Sequence, residues 1–226
     1  MATKFSILLT TLFILSHISI RAQDKSEIIQ QIDSQLKSGQ TTISKVLSDD
    51  VFLKLHTLTP FRDVIKENAT PGKITIVTIS EPGIHLTIKG TIVNKAGIPQ
   101  KDLLLYFYQT SNLGWYADTA AHVLMNDGDM KHARLFGYLK TDDRGQFSFE
   151  TIKPIGYTKS SLTGNIHVQY ISQENKSLTG PEELQFDDDP RMTWERRKQT
   201  LEEGNLIAKN TGTSEKPVYE YMIIVQ

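Results

Sequence analysis

The sequence contains no cysteine in its 226 residues, and this absence excludes several kinds of site. Disulfide bonds, thiolate metal sites, iron–sulfur clusters and a cysteine nucleophile all require a thiol. Chemistry at a metal or a reacting group must therefore use oxygen and nitrogen atoms. The formal net charge of −1 lacks the basic excess that is typical of nucleic-acid binding, so we expect no nucleic-acid partner.

An apolar run from Phe5 to Ile20 follows Lys4 near the N-terminus. A short basic region, an apolar stretch and a small residue before a polar segment are typical of a secretory signal peptide. We therefore predict a signal peptide over residues 1–22, export to the periplasm or the cell exterior, and no membrane contact after cleavage. An uncleaved N-terminal anchor is the alternative interpretation of the same pattern.

Two hydrophobic periodicities divide the rest of the chain. Apolar residues recur at helical spacing from Ile28 to Leu36, and Thr59-Pro60 predicts an N-cap and the start of a second helix. From Lys73 onward the period changes to two residues, which is typical of strands. We expect a signal peptide over 1–22, a helical lead segment over 23–72 and one domain over 73–226.

The second part of the chain carries several short strand patterns separated by turn residues. We predict strands over 102–109, 134–140, 146–151, 164–171 and 218–225, and a helix over 187–204. This spacing indicates a mainly β protein, an antiparallel β-sandwich of the prealbumin-like or immunoglobulin-like kind with N-terminal helices. The segment 111–133 has little periodicity, and loops of that length tend to carry function.

Five short motifs follow one another between Gly114 and Val168. They are Gly114-Trp115-Tyr116, then Arg134-Leu135-Phe136-Gly137, then Thr141-Asp142 with Gly145, then Thr151-Ile152-Lys153-Pro154-Ile155-Gly156-Tyr157, and Asn165-Ile166-His167-Val168. Each motif is weak alone, but their combination and order resemble the intradiol ring-cleavage dioxygenases, the catechol and protocatechuate class. The resemblance covers roughly residues 80–225.

The resemblance implies a ferric ion held by two tyrosinates and two histidines. Carried over by motif, Tyr116 and Tyr157 are the phenolate ligands, His167 is one histidine, and the other histidine position is Asn165. Ferric iron is a hard acid that suits a phenolate oxygen, and imidazole also suits iron. Metal binding lowers the tyrosine pKa from about 10, so that the phenol binds deprotonated.

The chain departs from the family pattern at two positions. An amide at Asn165 is a weaker donor than imidazole, so we expect looser iron binding. Related enzymes carry an arginine three residues before the first histidine, where this chain has Leu162; Arg134 occupies the family's Arg-x-x-Gly position but does not replace that charge. His122 and His132 are weaker candidates for a replacement ligand.

The implied function is ferric-iron-dependent oxidative ring cleavage of a small catechol-type aromatic, weakened or lost because of Asn165. Homodimer formation is expected from the resemblance alone. Two alternatives stay open at this point. One is a non-catalytic relative that keeps an aromatic-binding cleft; the other is a carrier domain of prealbumin type, in which Tyr116 and Tyr157 never meet.

Overall fold

The computed structural model describes residues 25–117 and 133–226. The predicted signal peptide over 1–22 lies outside the described residues. So does most of the insertion predicted over 111–133, including His122 and His132.

The N-terminal part of the described chain is helical. Helix α1 ends where Gly39 adopts a positive φ of 70°, and α2 begins after Thr42, whose side chain accepts a hydrogen bond from the Lys45 amide. The N-cap of α3 is Leu58, so Thr59 lies in the first turn and not at the cap position that we predicted. Within residues 25–117 and 133–226 the α-helices are α1 Lys25–Lys37, α2 Ile43–Leu47, α3 Thr59–Glu67 and α4 Trp194–Glu202, and a 3-10 helix spans Asp50–Leu55.

The remaining elements form two sheets. Their order is β1-β5-β2-β10 in one sheet and β4-β3-β6-β8-β9 in the other, with β7 paired to β6. The strands are β1 Lys73–Thr75, β2 His85–Asn94, β3 Leu104–Gln109, β4 Leu135–Lys140, β5 Gln146–Ile152, β6 Asn165–Ile171, β7 Ser177–Leu178, β8 Glu183–Phe186, β9 Leu206–Ala208 and β10 Val218–Val225. The prediction of a mainly β sandwich is confirmed.

The prediction of a purely antiparallel arrangement is wrong, because both sheets are mixed. The pairs β1–β5, β2–β10 and β8–β9 run parallel. Antiparallel neighbours can be joined by tight hairpins, whereas these parallel partners are separated by long stretches of chain. In each of these three pairs, the chain enters both strands from the same end of the sheet.

The two sheets enclose a hydrophobic core. Phe107 of β3 stacks on Phe149 of β5 with ring centroids 4.0 Å apart, and burial of each such ring contributes about 2 kcal/mol. The helices extend the same core, since Phe61 of α3 packs edge-on against Phe136 of β4. The helical segment therefore covers the outer face at the β4 end of one sheet. No helix within the described residues is both long enough and apolar enough to cross a membrane.

Candidate metal centre

The outer face of the sheet that contains β3, β6 and β8 carries a row of polar side chains. Strand register places Tyr108 beside His167, and His167 beside Glu183. The intervening residues, such as Phe107 and Leu184, point into the core. Alternation along each strand therefore brings Tyr108, His167 and Glu183 to one side of the sheet.

The two tyrosines predicted as ligands meet above this row. The hydroxyl of Tyr116 lies 2.8 Å from the hydroxyl of Tyr157 and 2.9 Å from Nε2 of His167. Tyr116 is only 5% exposed, whereas Tyr157 and His167 are half-buried. Asn165 lies two residues before His167 on the same face of β6, opposite Gln185. The structure thus brings Tyr116, Tyr157 and His167 together, with Asn165 on the adjoining part of the face.

A close contact between two glycines explains the local positions of the tyrosines. Gly114 has a φ of 73°, and a Cβ at this residue would lie 2.7 Å from the carbonyl oxygen of Gly156. A side chain at residue 114 would therefore push the two loops apart. Two residues further on, the Tyr116 carbonyl accepts a hydrogen bond of 2.7 Å from the amide of Arg134, which fixes this loop to the start of β4.

Arg191 fixes the loop that carries Tyr157. Its Nη1 donates to the carbonyl oxygen of Leu162 at 3.0 Å and reaches that of Tyr157 at 3.4 Å. Asp189 accepts a 2.9 Å hydrogen bond from the amide of Gly164 at the other end of the loop. Sequence analysis missed Arg191, because its partners lie about thirty residues earlier in the chain and share no local pattern with it.

A column of stacked rings lies behind His167. Tyr138, Tyr106, Tyr108 and His167 follow one another with centroid separations of 4.6, 5.4 and 4.7 Å. The buried Arg62 donates to the hydroxyl of Tyr106, the second ring of the column. Burial raises the pKa of the Tyr106 phenol well above its ordinary value, although the Arg62 charge acts in the opposite direction. At the His167 end of the column, the stacked Tyr108 ring limits rotation of the imidazole.

A cavity of about 320 Å³ opens beside this site. Its lining includes Tyr108, His167, Gln169, Thr179 and Gly180. Cavities of about 300–1,000 Å³ are typical of small-molecule sites. A groove of about 680 Å³ on the other sheet is larger, but it lies away from the tyrosines and His167.

The donor set fits a metal ion. Metal–oxygen and metal–nitrogen bonds of about 2.0–2.2 Å place two ligands of one ion about 3 Å apart, which matches the distances from the Tyr116 hydroxyl to the Tyr157 hydroxyl and to Nε2 of His167. No group of three His, Asp or Glu side chains within the described residues has a metal-binding arrangement. A centre at this position therefore depends on phenol oxygens, and phenolate is a hard donor that suits ferric iron.

Comparisons with known proteins identify the family and the fold. A protein-family model described as "Dioxygenase" matches residues 65–177, which is half of the chain. The dioxygenase domain of a dioxygenase carbohydrate-binding protein fusion from Streptomyces sp. SirexAA-E is similar in structure. Its TM-score is 0.50 at 24% identity, over 69% of this chain and 88% of that chain. No curated protein matches the sequence.

Two further solved structures extend the likeness in fold. An intradiol ring-cleavage dioxygenase from Tetranychus urticae matches with a TM-score of 0.54 at 16% identity, over 70% of this chain and 87% of that chain. The catechol 1,2-dioxygenase of Acinetobacter radioresistens matches with a TM-score of 0.51 at 14% identity, over 89% of this chain and 78% of that chain. With the matching family model and the ordered motifs, these findings show that the chain is a divergent member of the intradiol ring-cleavage dioxygenase family.

Proposed function

We propose that this protein binds ferric iron through Tyr116, Tyr157 and His167 and cleaves the ring of a small catechol-type aromatic with dioxygen. The observation that carries the proposal is the convergence of the two phenol oxygens and the imidazole nitrogen within 2.8 and 2.9 Å. This contact argues against the carrier alternative, in which the two tyrosines never meet.

Each residue has a distinct part in this proposal. Bound ferric iron would activate the catechol toward dioxygen, and the ring would open between the hydroxyl-bearing carbons to a dicarboxylic acid that contains both oxygen atoms. Tyr116 and Tyr157 would hold the ion as phenolates, and either phenolate would serve as the base that takes up a catechol proton. His167 would hold the ion through Nε2, while Tyr108, stacked 4.7 Å away, orients the imidazole ring.

The departures from the family pattern set the expected strength of the activity. Asn165 offers a neutral amide where an imidazole is expected, and Leu162 offers no charge beside the substrate. The Arg191 guanidinium reaches the carbonyl of Leu162, but it is engaged in holding the loop. We therefore propose that this site cleaves the ring more slowly, and binds ferric iron more weakly, than a site with two histidines.

The setting of the reaction follows from the N-terminal pattern and the resemblance. We propose that residues 1–22 direct export, so that the mature protein meets its aromatic substrate in the periplasm or outside the cell. The proposed assembly is a homodimer.

Visible absorption after iron loading tests the proposed centre. Tyrosinate coordinated to ferric iron gives a red-brown charge-transfer band, which we expect in the wild-type protein. Tyr157→Phe should lose much of this band, whereas Tyr219→Phe, a change on β10 in the other sheet, should leave it unchanged. A colourless wild-type protein after loading with ferric nitrilotriacetate would overturn the metal proposal.

Oxygen consumption with catechol tests the reaction itself. We expect one equivalent of dioxygen to be consumed per equivalent of ring-opened dicarboxylic acid. A coloured protein whose band responds to catechol but which consumes no oxygen would overturn ring cleavage and leave a binding function.

A further inference from the structure

Glu183 is a neighbour of the candidate metal centre that the sequence motifs do not identify. It lies directly opposite His167 in the pairing of β6 with β8. The Val168 amide donates to the Glu182 carbonyl, and the Glu183 amide points away from β6 to Asn205. His167 and Glu183 are therefore a non-hydrogen-bonded pair, the kind in which Cα atoms approach to about 4.5 Å and side chains lie closest.

Hydrogen bonds fix the direction of the Glu183 side chain. Its Oε2 accepts a 2.7 Å hydrogen bond from Nε2 of Gln185, the residue that faces Asn165 across the strands. Gln185 is 3% exposed, and its Oε1 is held by the hydroxyls of Thr163 and Thr200 at 2.9 and 3.0 Å. The carboxylate of Glu183 therefore turns along β8 from the His167 row toward the Asn165 row.

The carboxylate is not engaged in a structural ion pair. Within residues 25–117 and 133–226, the side-chain contact of Glu183 is to the Gln185 amide, and no lysine or arginine pairs with it. Partial burial removes some of the water around a carboxylate. A bound metal ion would compensate for that lost hydration. Glu183 thus combines a free charge with a position beside His167.

We propose that the carboxylate of Glu183 is the fourth protein ligand of the ferric ion, in place of the imidazole that Asn165 lacks. This inference rests on the proposed iron centre described above. A carboxylate is a hard anionic donor that suits a ferric ion better than the Asn165 amide. Two tyrosinates and one carboxylate would also balance the three positive charges of the ferric ion.

A double-mutant cycle measured by ferric-ion affinity tests the assignment. The probe is Fe³⁺ supplied as nitrilotriacetate, with dissociation constants from chelator competition on the purified full chain. We expect Glu183→Gln to weaken Fe³⁺ binding at least tenfold and to move the charge-transfer band to longer wavelength, since loss of an anionic donor makes the ion a stronger acceptor. Glu182→Gln is the matched control at the adjacent exposed residue, and its affinity should stay within twofold of wild type.

Rescue separates a ligand from a residue that only supports the fold. In the Glu183→Gln protein, Asn165→His should strengthen Fe³⁺ binding at least fivefold. The same change should have a smaller effect in the wild-type protein, because the two positions serve one coordination site. If Glu183→Gln does not fold, Glu183→Asp withdraws the carboxylate by one methylene and should weaken binding by a smaller factor.

The outcomes distinguish this inference from the proposed function. A wild-type protein that develops no band and binds no Fe³⁺ overturns both. A coloured wild-type protein, together with Glu183→Gln or Glu183→Asp of unchanged affinity and band position, overturns the Glu183 assignment alone. Equal effects of Asn165→His in the two backgrounds would also overturn it.

Discussion

Arg134 is the residue that connects the candidate centre to the fold beneath it. Its guanidinium forms two hydrogen bonds to the carboxylate of Glu81 at 2.5 and 2.7 Å, and both side chains are nearly buried. Its amide donates to the Tyr116 carbonyl. The Arg-x-x-Gly motif identified this position in the sequence, but its partner Glu81 lies outside every motif.

Neutralising Glu81 should destabilise the whole protein. Removing one charge of a buried pair leaves the other uncompensated, so we expect Glu81→Gln to lower the free energy of unfolding by about 3 kcal/mol. Asp143→Asn, which breaks the exposed pair with Lys101, should cause no measurable change. Urea unfolding followed by circular dichroism compares the two variants. Equal stability of Glu81→Gln and wild type would contradict the role given to this pair.

The loop from Pro154 to Gly164 is the element that carries Tyr157, and it is held from a distant turn. Asp189 and Arg191 bind its backbone at Tyr157, Leu162 and Gly164. Acidic residues precede α4, a position in which carboxylates generally stabilise the N-terminus of a helix. Instead, the cap of α4 is Thr193, and Asp188 binds Lys153 and Tyr219.

Arg191→Ala should therefore disturb the centre as well as the fold. Two charge-assisted hydrogen bonds to the loop are lost, and we expect about 2 kcal/mol less stability. The position of Tyr157 should become less fixed, so ferric binding should weaken at least threefold. Arg144→Ala, in an exposed turn, is the control for loss of an arginine. An Arg191→Ala protein with wild-type iron affinity would show that Tyr157 is held by other contacts.

The sequence could predict elements whose signals are local. The strands that begin near Leu104, Leu135, Gln146, Asn165 and Val218 were predicted within two residues, because alternation and turn residues lie within each of them. Strands β7, β8 and β9 were not predicted, since segments of two to four residues are too short to show a period. Parallel pairing, Arg191 and Glu183 all depend on contacts between distant segments, which no local pattern carries.

Across the whole molecule, buried tyrosines make stability sensitive to alkaline pH. Burial raises the pKa of Tyr106 and Tyr170 in one sheet, and of Tyr219 and Tyr221 in the other. A phenol whose pKa is raised by folding stabilises the protein fully below the unfolded pKa of about 10. That contribution is lost as the pH rises above 10, because the unfolded chain releases its protons first.

Tyr170 isolates this effect, since burial alone raises its pKa. Tyr170→Phe removes the 2.7 Å hydrogen bond to the Pro181 carbonyl, so we expect about 1 kcal/mol less stability at pH 7. The same variant has one fewer phenol to ionise, so its loss of stability between pH 9 and pH 11 should be smaller than that of wild type. Urea unfolding at a series of pH values measures both quantities, and lysine deprotonation contributes equally to the two proteins. Parallel stability curves for Tyr170→Phe and wild type would contradict the argument, because the Tyr170 phenol would then ionise as easily in the folded protein as in the unfolded chain.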